Sequence, residues 1–186
     1  MTYEIAARER YEHTVELPEG VSASLEHAEL TMRGPNGTVT RRLQSKDTAI
    51  SLEGSTITLT TTRPTKRHKR EINTFRSHIT NMIQGVTEGH TYKLTIASSH
   101  FPITVQNQNG RMIIKNFVGE KKPRSTRIPE NVDVKIEGDT ITITSADLEK
   151  AGNFAGALEK LCVRAKFDTR IFQDGLYITE KNGRTV

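Results

Sequence analysis

Leu52-Glu-Gly-Ser-Thr-Ile-Thr-Leu-Thr60 returns 84 residues later as Ile136-Glu-Gly-Asp-Thr-Ile-Thr-Ile-Thr144, with six of nine positions identical and two more exchanging Leu for Ile. In each copy Thr alternates with Ile or Leu, the period of a half-buried strand rich in β-branched residues. Val132-Asp-Val-Lys-Ile136 alternates too, so Gly138-Asp139 reads as a two-residue hairpin turn. Upstream, Gly34-Pro-Asn-Gly37 followed by Arg42-Leu43 has a weaker echo in Gly119-Glu-Lys-Lys122 followed by Arg127-Ile128. Downstream, each copy runs into a helical pattern. A shared order of elements points to two duplicated domains, placed at 1–85 and 86–186.

The helices have their own period. Ile72, Phe75, Ile79 and Met82 fall on one face, with Gly85 as the expected stop. In the second half Leu148, Ala151, Phe154 or Ala155, Leu158, Leu161 or Cys162, and Ala165 repeat that spacing, with Ser145 or Asp147 as N-cap. Further strands are expected at Tyr92–Ile96 and Phe101–Val105. The expected fold class is α+β: two tandem domains, each a mainly antiparallel sheet packed by one helix, its other face open.

Composition narrows the partner. The chain has 186 residues, 34% of them apolar and none of them Trp. Lys and Arg number 27 against 22 Asp and Glu, for a net charge of +5. A basic chain favours a polyanion, because each cation set against a phosphate releases condensed counterions. The single cysteine, Cys162, rules out an internal disulfide and sits in an apolar stretch that suits a buried thiol. The N-terminus carries no apolar run of the signal-peptide kind, and no stretch approaches the ~18 apolar residues of a membrane span. A cytoplasmic protein is expected.

Catalytic signatures are missing. The six His show no HExxH or HxxxH spacing, and neither GxxxxGK[ST] nor GxSxG occurs. No enzyme activity, metal or cofactor is expected.

Three basic clusters remain. Arg63-Pro-Thr-Lys66-Arg67-His68-Lys69-Arg70 enters the first helix, and Lys121-Lys122-Pro123-Arg124-Ser-Thr-Arg127 precedes a strand. Lys160, Arg164, Lys166 and Arg170 lie on the far end of the second helix and just beyond it. A solvated surface is the ordinary explanation of such runs. However, the first two contain no carboxylate to lace them with salt bridges, and the second lies beside Gly119 in a Pro-containing loop. Aromatics, at 5%, are too sparse for a stacking platform, so contact should rest on phosphates, 2′-hydroxyls and shape.

Several motifs fall in an order that resembles one family. They are Leu17-Pro-Glu-Gly-Val21 (its opening strand), Arg33-Gly-Pro-Asn-Gly37 (its first hairpin) and Asn81-Met-Ile-Gln-Gly-Val-Thr-Glu-Gly89 (its inter-domain junction). His100-Phe-Pro-Ile103, Asn116-Phe-Val-Gly-Glu-Lys121 and Arg170-Ile-Phe-Gln-Asp-Gly-Leu-Tyr-Ile178 follow. Together they resemble the large-subunit ribosomal protein six family, in its archaeal and eukaryotic branch, from about Val15 to Lys181. The resemblance implies two similar α+β domains and binding to large-subunit rRNA near the stalk base and sarcin–ricin region, supporting the site where translation factors dock. It implies neighbouring ribosomal proteins near the stalk base, no membrane, and no self-association.

It also implies that the second domain makes most of the RNA contact. Carried over residue by residue, this marks Asn116, Gly119, Lys121, Lys122 and Arg124, and Arg170, Gln173, Asp174, Gly175 and Tyr177. Charge adds Arg127, Arg164 and Lys166, and in the first domain Lys66, Arg67, Lys69 and Arg70. Two rivals stay open: a free-standing RNA-binding regulator, and a protein–protein adaptor using its open sheet faces.

Overall fold

The computed structural model describes residues 11–61, 65–165, 167–168 and 170–186. Arg63 of the first basic cluster and Lys166 of the third lie outside the described residues. The chain divides into two compact units, one ending at Glu88 and the other beginning at Gly89.

The first unit contains β1 (Tyr11–Glu16), β2 (Ser22–Glu26), β3 (Glu29–Gly34), β4 (Gly37–Arg42), β5 (Thr48–Glu53), β6 (Thr56–Thr61) and α1 (Lys66–Thr87). Its strands form two antiparallel sheets, ordered β1-β6-β5 and β2-β3-β4. Helix α1 packs on both. It buries Ile72, Phe75, Ile79 and Met82, the face given by their spacing. From the sheets come Leu30, Met32, Val39, Ile57 and Leu59.

The second unit contains β7 (His90–Ala97), β8 (Thr104–Gln108), β9 (Arg111–Lys115), β10 (Arg124–Arg127), β11 (Asp133–Glu137), β12 (Thr140–Ser145), α2 (Leu148–Leu161), β13 (Gly175–Lys181) and β14 (Arg184–Thr185). Its sheets are β10-β9-β8 and β11-β12-β7-β13-β14. Leu94, Met112, Ile114, Phe117, Ile141, Ile143, Phe154, Leu158 and Leu176 belong to one core cluster.

The repeated stretch forms the same hairpin in both units. Glu53 pairs with Thr56 around Gly54-Ser55, and Glu137 with Thr140 around Gly138-Asp139. Gly54 (φ 60°) and Gly138 (φ 57°) supply the positive φ that such a turn needs at its first central position. The β-branched Ile57 and Ile141 next to these turns are fully buried, so alternation becomes burial.

Strand order extends the correspondence. The three-stranded meander β2-β3-β4 matches β8-β9-β10, and β1-β6-β5 matches β7-β12-β11. The second unit then adds two things to this plan. The two-residue turn between β3 and β4 becomes an eight-residue loop, 116–123, between β9 and β10, and a hairpin, β13–β14, pairs onto β7.

Several expectations need correction. Each unit holds two antiparallel sheets where one was expected, because the strands of its meander (β2-β3-β4, β8-β9-β10) pair only with one another. Gly85 does not end α1, which continues to Thr87 with Gly85 buried inside it. Leu17–Gly20 is not a strand: Pro18 has no N–H to pair and Gly20 turns at φ 83°, so the opening strand is β1. Pro102 likewise delays β8 to Thr104. Ala165 lies beyond α2 and is exposed. Asp147 is the N-cap, accepting from the Glu149 and Lys150 N–H groups, while Ser145 accepts from Asp147 N–H and donates to Asn131 O. Cys162 is buried, and burial pushes its thiol up to about 11.

Candidate nucleic-acid interface

The 116–123 loop is held in an unusual shape. Asn116 (φ 59°), Val118 (φ 47°) and Gly119 (φ 75°) all have left-handed backbone. Asn and Gly adopt it readily; a β-branched Val does so at a cost of roughly 1–2 kcal/mol. The surroundings enforce it. Phe117 is buried in the core, and Asn116 Nδ2 donates to Pro102 O at 3.1 Å. Glu120 N–H closes a turn onto Phe117 O at 3.0 Å. At Gly119 an added Cβ would lie 3.5 Å from the Phe101 ring, in ordinary contact, so its positive φ is the constraint. The outcome is a fixed bend that leaves Lys121 and Lys122 exposed.

Arg124 follows but faces inward. Its Nε and Nη2 donate to the two Glu120 oxygens at 2.8 and 2.7 Å, and its Nη1 donates to Leu161 O and Val163 O. Its guanidinium also lies 4.4 Å from the Phe117 ring centre. The Arg124 hydrogen bonds hold the Glu120 carboxyl below its ordinary range, burial opposing them in part. Arg124 thus ties the loop to the last carbonyl of α2 and to one just past its cap. Arg127 is exposed at the end of β10.

The segment after α2 is organised around Asp174, whose side chain is fully buried. Its Oδ1 accepts from Ser99 N–H at 2.6 Å and His100 N–H at 2.9 Å, and its Oδ2 lies 2.6 Å from His100 Nδ1. Burial alone would raise this carboxyl; the His100 and Ser99 hydrogen bonds outweigh it and hold it below the usual range. The His100 ring then packs tilted against Phe172 at 4.9 Å, Phe172 meets Phe167 edge-on at 4.8 Å, and Arg164 lies 4.2 Å from Phe167. Arg170 is exposed and bonded to Asp168, and Gln173 is exposed beside it. Gly175 is buried at the start of β13, and Tyr177, two residues on, is 42% exposed.

In the first unit Lys66, Arg67, Lys69 and Arg70 are exposed on the opening turns of α1, which has no acidic residue in its first turn. Cations at a helix N-terminus oppose the macrodipole, at about 0.3–1 kcal/mol each. Helix α2 follows the favourable arrangement, with Glu149 in its first turn and Lys160 in its last. The reversed charge on α1 is therefore not explained by helix stability.

Among the predicted residues, the fold brings two groups together. Arg124, held by Glu120, binds Leu161 O and Val163 O, and Arg164 beside them acts electrostatically on Glu120, so the 116–124 loop meets the end of α2. His100, Phe117, Phe167 and Phe172 belong to this site and were not predicted. His100 meets Asp174 and Phe172 from far along the chain, so no local spacing could have paired them, and the nearer contacts of Phe117, Phe167 and Phe172 follow no helix or strand period. Among the described residues no helix is long and apolar enough to cross a membrane, and no group of His, Cys, Asp and Glu could hold a metal.

Comparison with known proteins finds relatives along most of the chain. A family model described as Ribosomal protein L6 matches residues 17–89. Large ribosomal subunit protein uL6 of Natronomonas pharaonis is 39% identical over 170 residues, covering 91% of this chain and 96% of the relative. The protein of the same name from Haloarcula marismortui is 41% identical over 170 residues, with the same coverage of 91% and 96%. That of Methanosarcina mazei is 38% identical over 168 residues, covering 90% and 96%.

Proposed function

The chain belongs to the ribosomal protein L6 family, non-enzymatic structural components of the large ribosomal subunit, and we propose that its second unit holds large-subunit rRNA near the stalk base and the sarcin–ricin region. There it supports the platform on which translation factors dock, beside neighbouring ribosomal proteins and without self-association. The two units are read as duplicated domains, the first ending near residue 85 and the second carrying the main RNA contact.

One observation carries this reading. The elements that the second unit adds to the plan it shares with the first, the 116–123 loop and β13, lie in or beside the basic and motif-bearing segments. Lys121, Lys122, Arg127 and Arg170 are exposed for phosphate contact, and Arg164, Gln173 and Tyr177 are at least partly open. Asn116, Gly119, Arg124, Asp174 and Gly175 act by fixing the surface that presents them. Lys166, outside the described residues, is assigned to RNA contact on charge alone. The cations of α1 give the first unit a secondary phosphate contact.

The test is binding of the chain to large-subunit rRNA across a salt series. If about 6 phosphates are engaged, log K falls against log salt with a slope on the order of −5. Binding without salt dependence, or none, sinks the reading in favour of a protein–protein adaptor. Sedimentation with washed large subunits separates it from a free-standing regulator.

A further inference from the structure

We propose that the aromatic pocket at the end of α2 receives one unpaired nucleobase of the large-subunit RNA. The inference rests on the second unit being an rRNA-binding face, and goes beyond it by assigning a site for a base where contact through phosphates, 2′-hydroxyls and shape was expected.

The pocket has a volume of about 120 Å³, and Phe117, Phe167, Phe172, Leu176, Tyr177 and Arg164 form much of its wall. An enclosed apolar cavity of roughly 150 Å³ holds a benzene ring; this smaller pocket, open beside the half-exposed Tyr177, takes in one face and edge of a planar ring. Sequence composition predicted no stacking platform, because 5% aromatics is sparse. The fold gathers four of these few aromatics into one place. Arg164, 4.2 Å from the Phe167 ring centre, adds a flat cationic surface.

Charge around the pocket selects the occupant. Four carboxylates lie in or next to it, and each is engaged by the protein. Glu120 is gripped by Arg124, Glu159 accepts Ile178 N–H at 3.2 Å, Asp168 is bonded to Arg170, and Asp174 is held by Ser99 and His100. Lys121, Lys122 and Lys160, on the segments flanking the pocket, are exposed. An apolar wall bordered by cations fits a ring that carries a phosphate. An aliphatic side chain from a neighbouring protein would fill the space but would desolvate Arg164 without return, whereas a base stacks on guanidinium and aromatic faces alike. The backbone phosphates would remain outside, toward the lysines.

The test uses the full chain and large-subunit rRNA. Tyr177→Ala lowers affinity by roughly 10-fold, the range for loss of one base–aromatic stack, and leaves the salt slope unchanged because no phosphate contact is lost. Tyr177→Phe and Tyr177→Trp keep the parent affinity. Ultraviolet crosslinking of the unaltered chain in assembled large subunits joins the 167–181 peptide to a single unpaired nucleotide. Tyr177→Ala binding as tightly as the parent, while the parent keeps its steep slope, overturns the pocket alone. So does a crosslink from that peptide to another protein. A parent chain whose rRNA binding shows no salt dependence overturns the underlying reading and this one with it.

Discussion

Arg124 grips Glu120 through two parallel hydrogen bonds of 2.8 and 2.7 Å, and uses its remaining terminal nitrogen on the carbonyls of Leu161 and Val163. Four cations stand in the 121–127 cluster, and this one is committed to the protein. Its role is to hold the loop that presents Lys121 and Lys122. A rigid, fork-shaped guanidinium suits that task, since it meets a carboxylate at two points.

The first prediction separates brace from contact. Lys121→Ala with Lys122→Ala should make the salt slope of rRNA binding shallower by about 2, with the unfolding midpoint unchanged. Arg124→Ala should instead destabilise the protein by about 2 kcal/mol, from loss of charge-assisted hydrogen bonds. Arg124→Lys should not rescue it, because an ammonium cannot reproduce the fork. Denaturant unfolding and a salt titration on the same three proteins check all of this.

Asp174 gives the fold an acid limit. Its folded carboxyl titrates below the ordinary value, so its stabilisation is fully present above about pH 4 and fades as pH falls through the lowered folded value. Asp174→Asn should destabilise the protein at neutral pH and flatten this part of the acid dependence. Unfolding free energies measured between about pH 2 and 7 check the sign: a variant with the parent's acid dependence contradicts the assignment.

Lys66→Glu should act in opposite directions on stability and binding. Removing a cation from the positive end of α1 and placing a carboxylate there should stabilise the free protein by about 0.5–1 kcal/mol. The same change should weaken rRNA binding at low salt. Thermal unfolding paired with an affinity measurement reads both; a variant that binds as the parent does leaves α1 without a phosphate role.

Gly34 is fixed by a neighbour and not by its own backbone. A Cβ there would lie 2.7 Å from Val86 O, and the adjoining turn is pinned by Asn36 N–H to Val86 O at 2.9 Å and Asn36 Nδ2 to Thr87 O at 2.8 Å. Gly34→Ala should therefore cost about 1–3 kcal/mol, as overpacking does, which equilibrium unfolding will measure.

Local pattern made the repeated hairpins and both helix faces readable, because Ile57, Ile141, Ile72 and Ile79 follow the periods that burial imposes. The second sheet in each unit was not readable, since pairing between strands leaves no mark on either strand alone. Charge likewise located the basic loop but not the inward turn of Arg124, whose partners include carbonyls 37 and 39 residues away. The pocket was hidden for the same reason: Phe117 and Phe172 meet around it only through the fold. The reversed charge at the start of α1, by contrast, was open to view in Lys66-Arg67-His68-Lys69-Arg70 once the helix start was known.

The most direct test is an electron-microscopy structure of the large ribosomal subunit containing this chain. The account predicts the Lys121 and Lys122 ammonium groups within about 4 Å of rRNA phosphate oxygens, with Arg124 still on Glu120. Lysines turned to solvent or to another protein, with no RNA against the 116–123 loop, would contradict it.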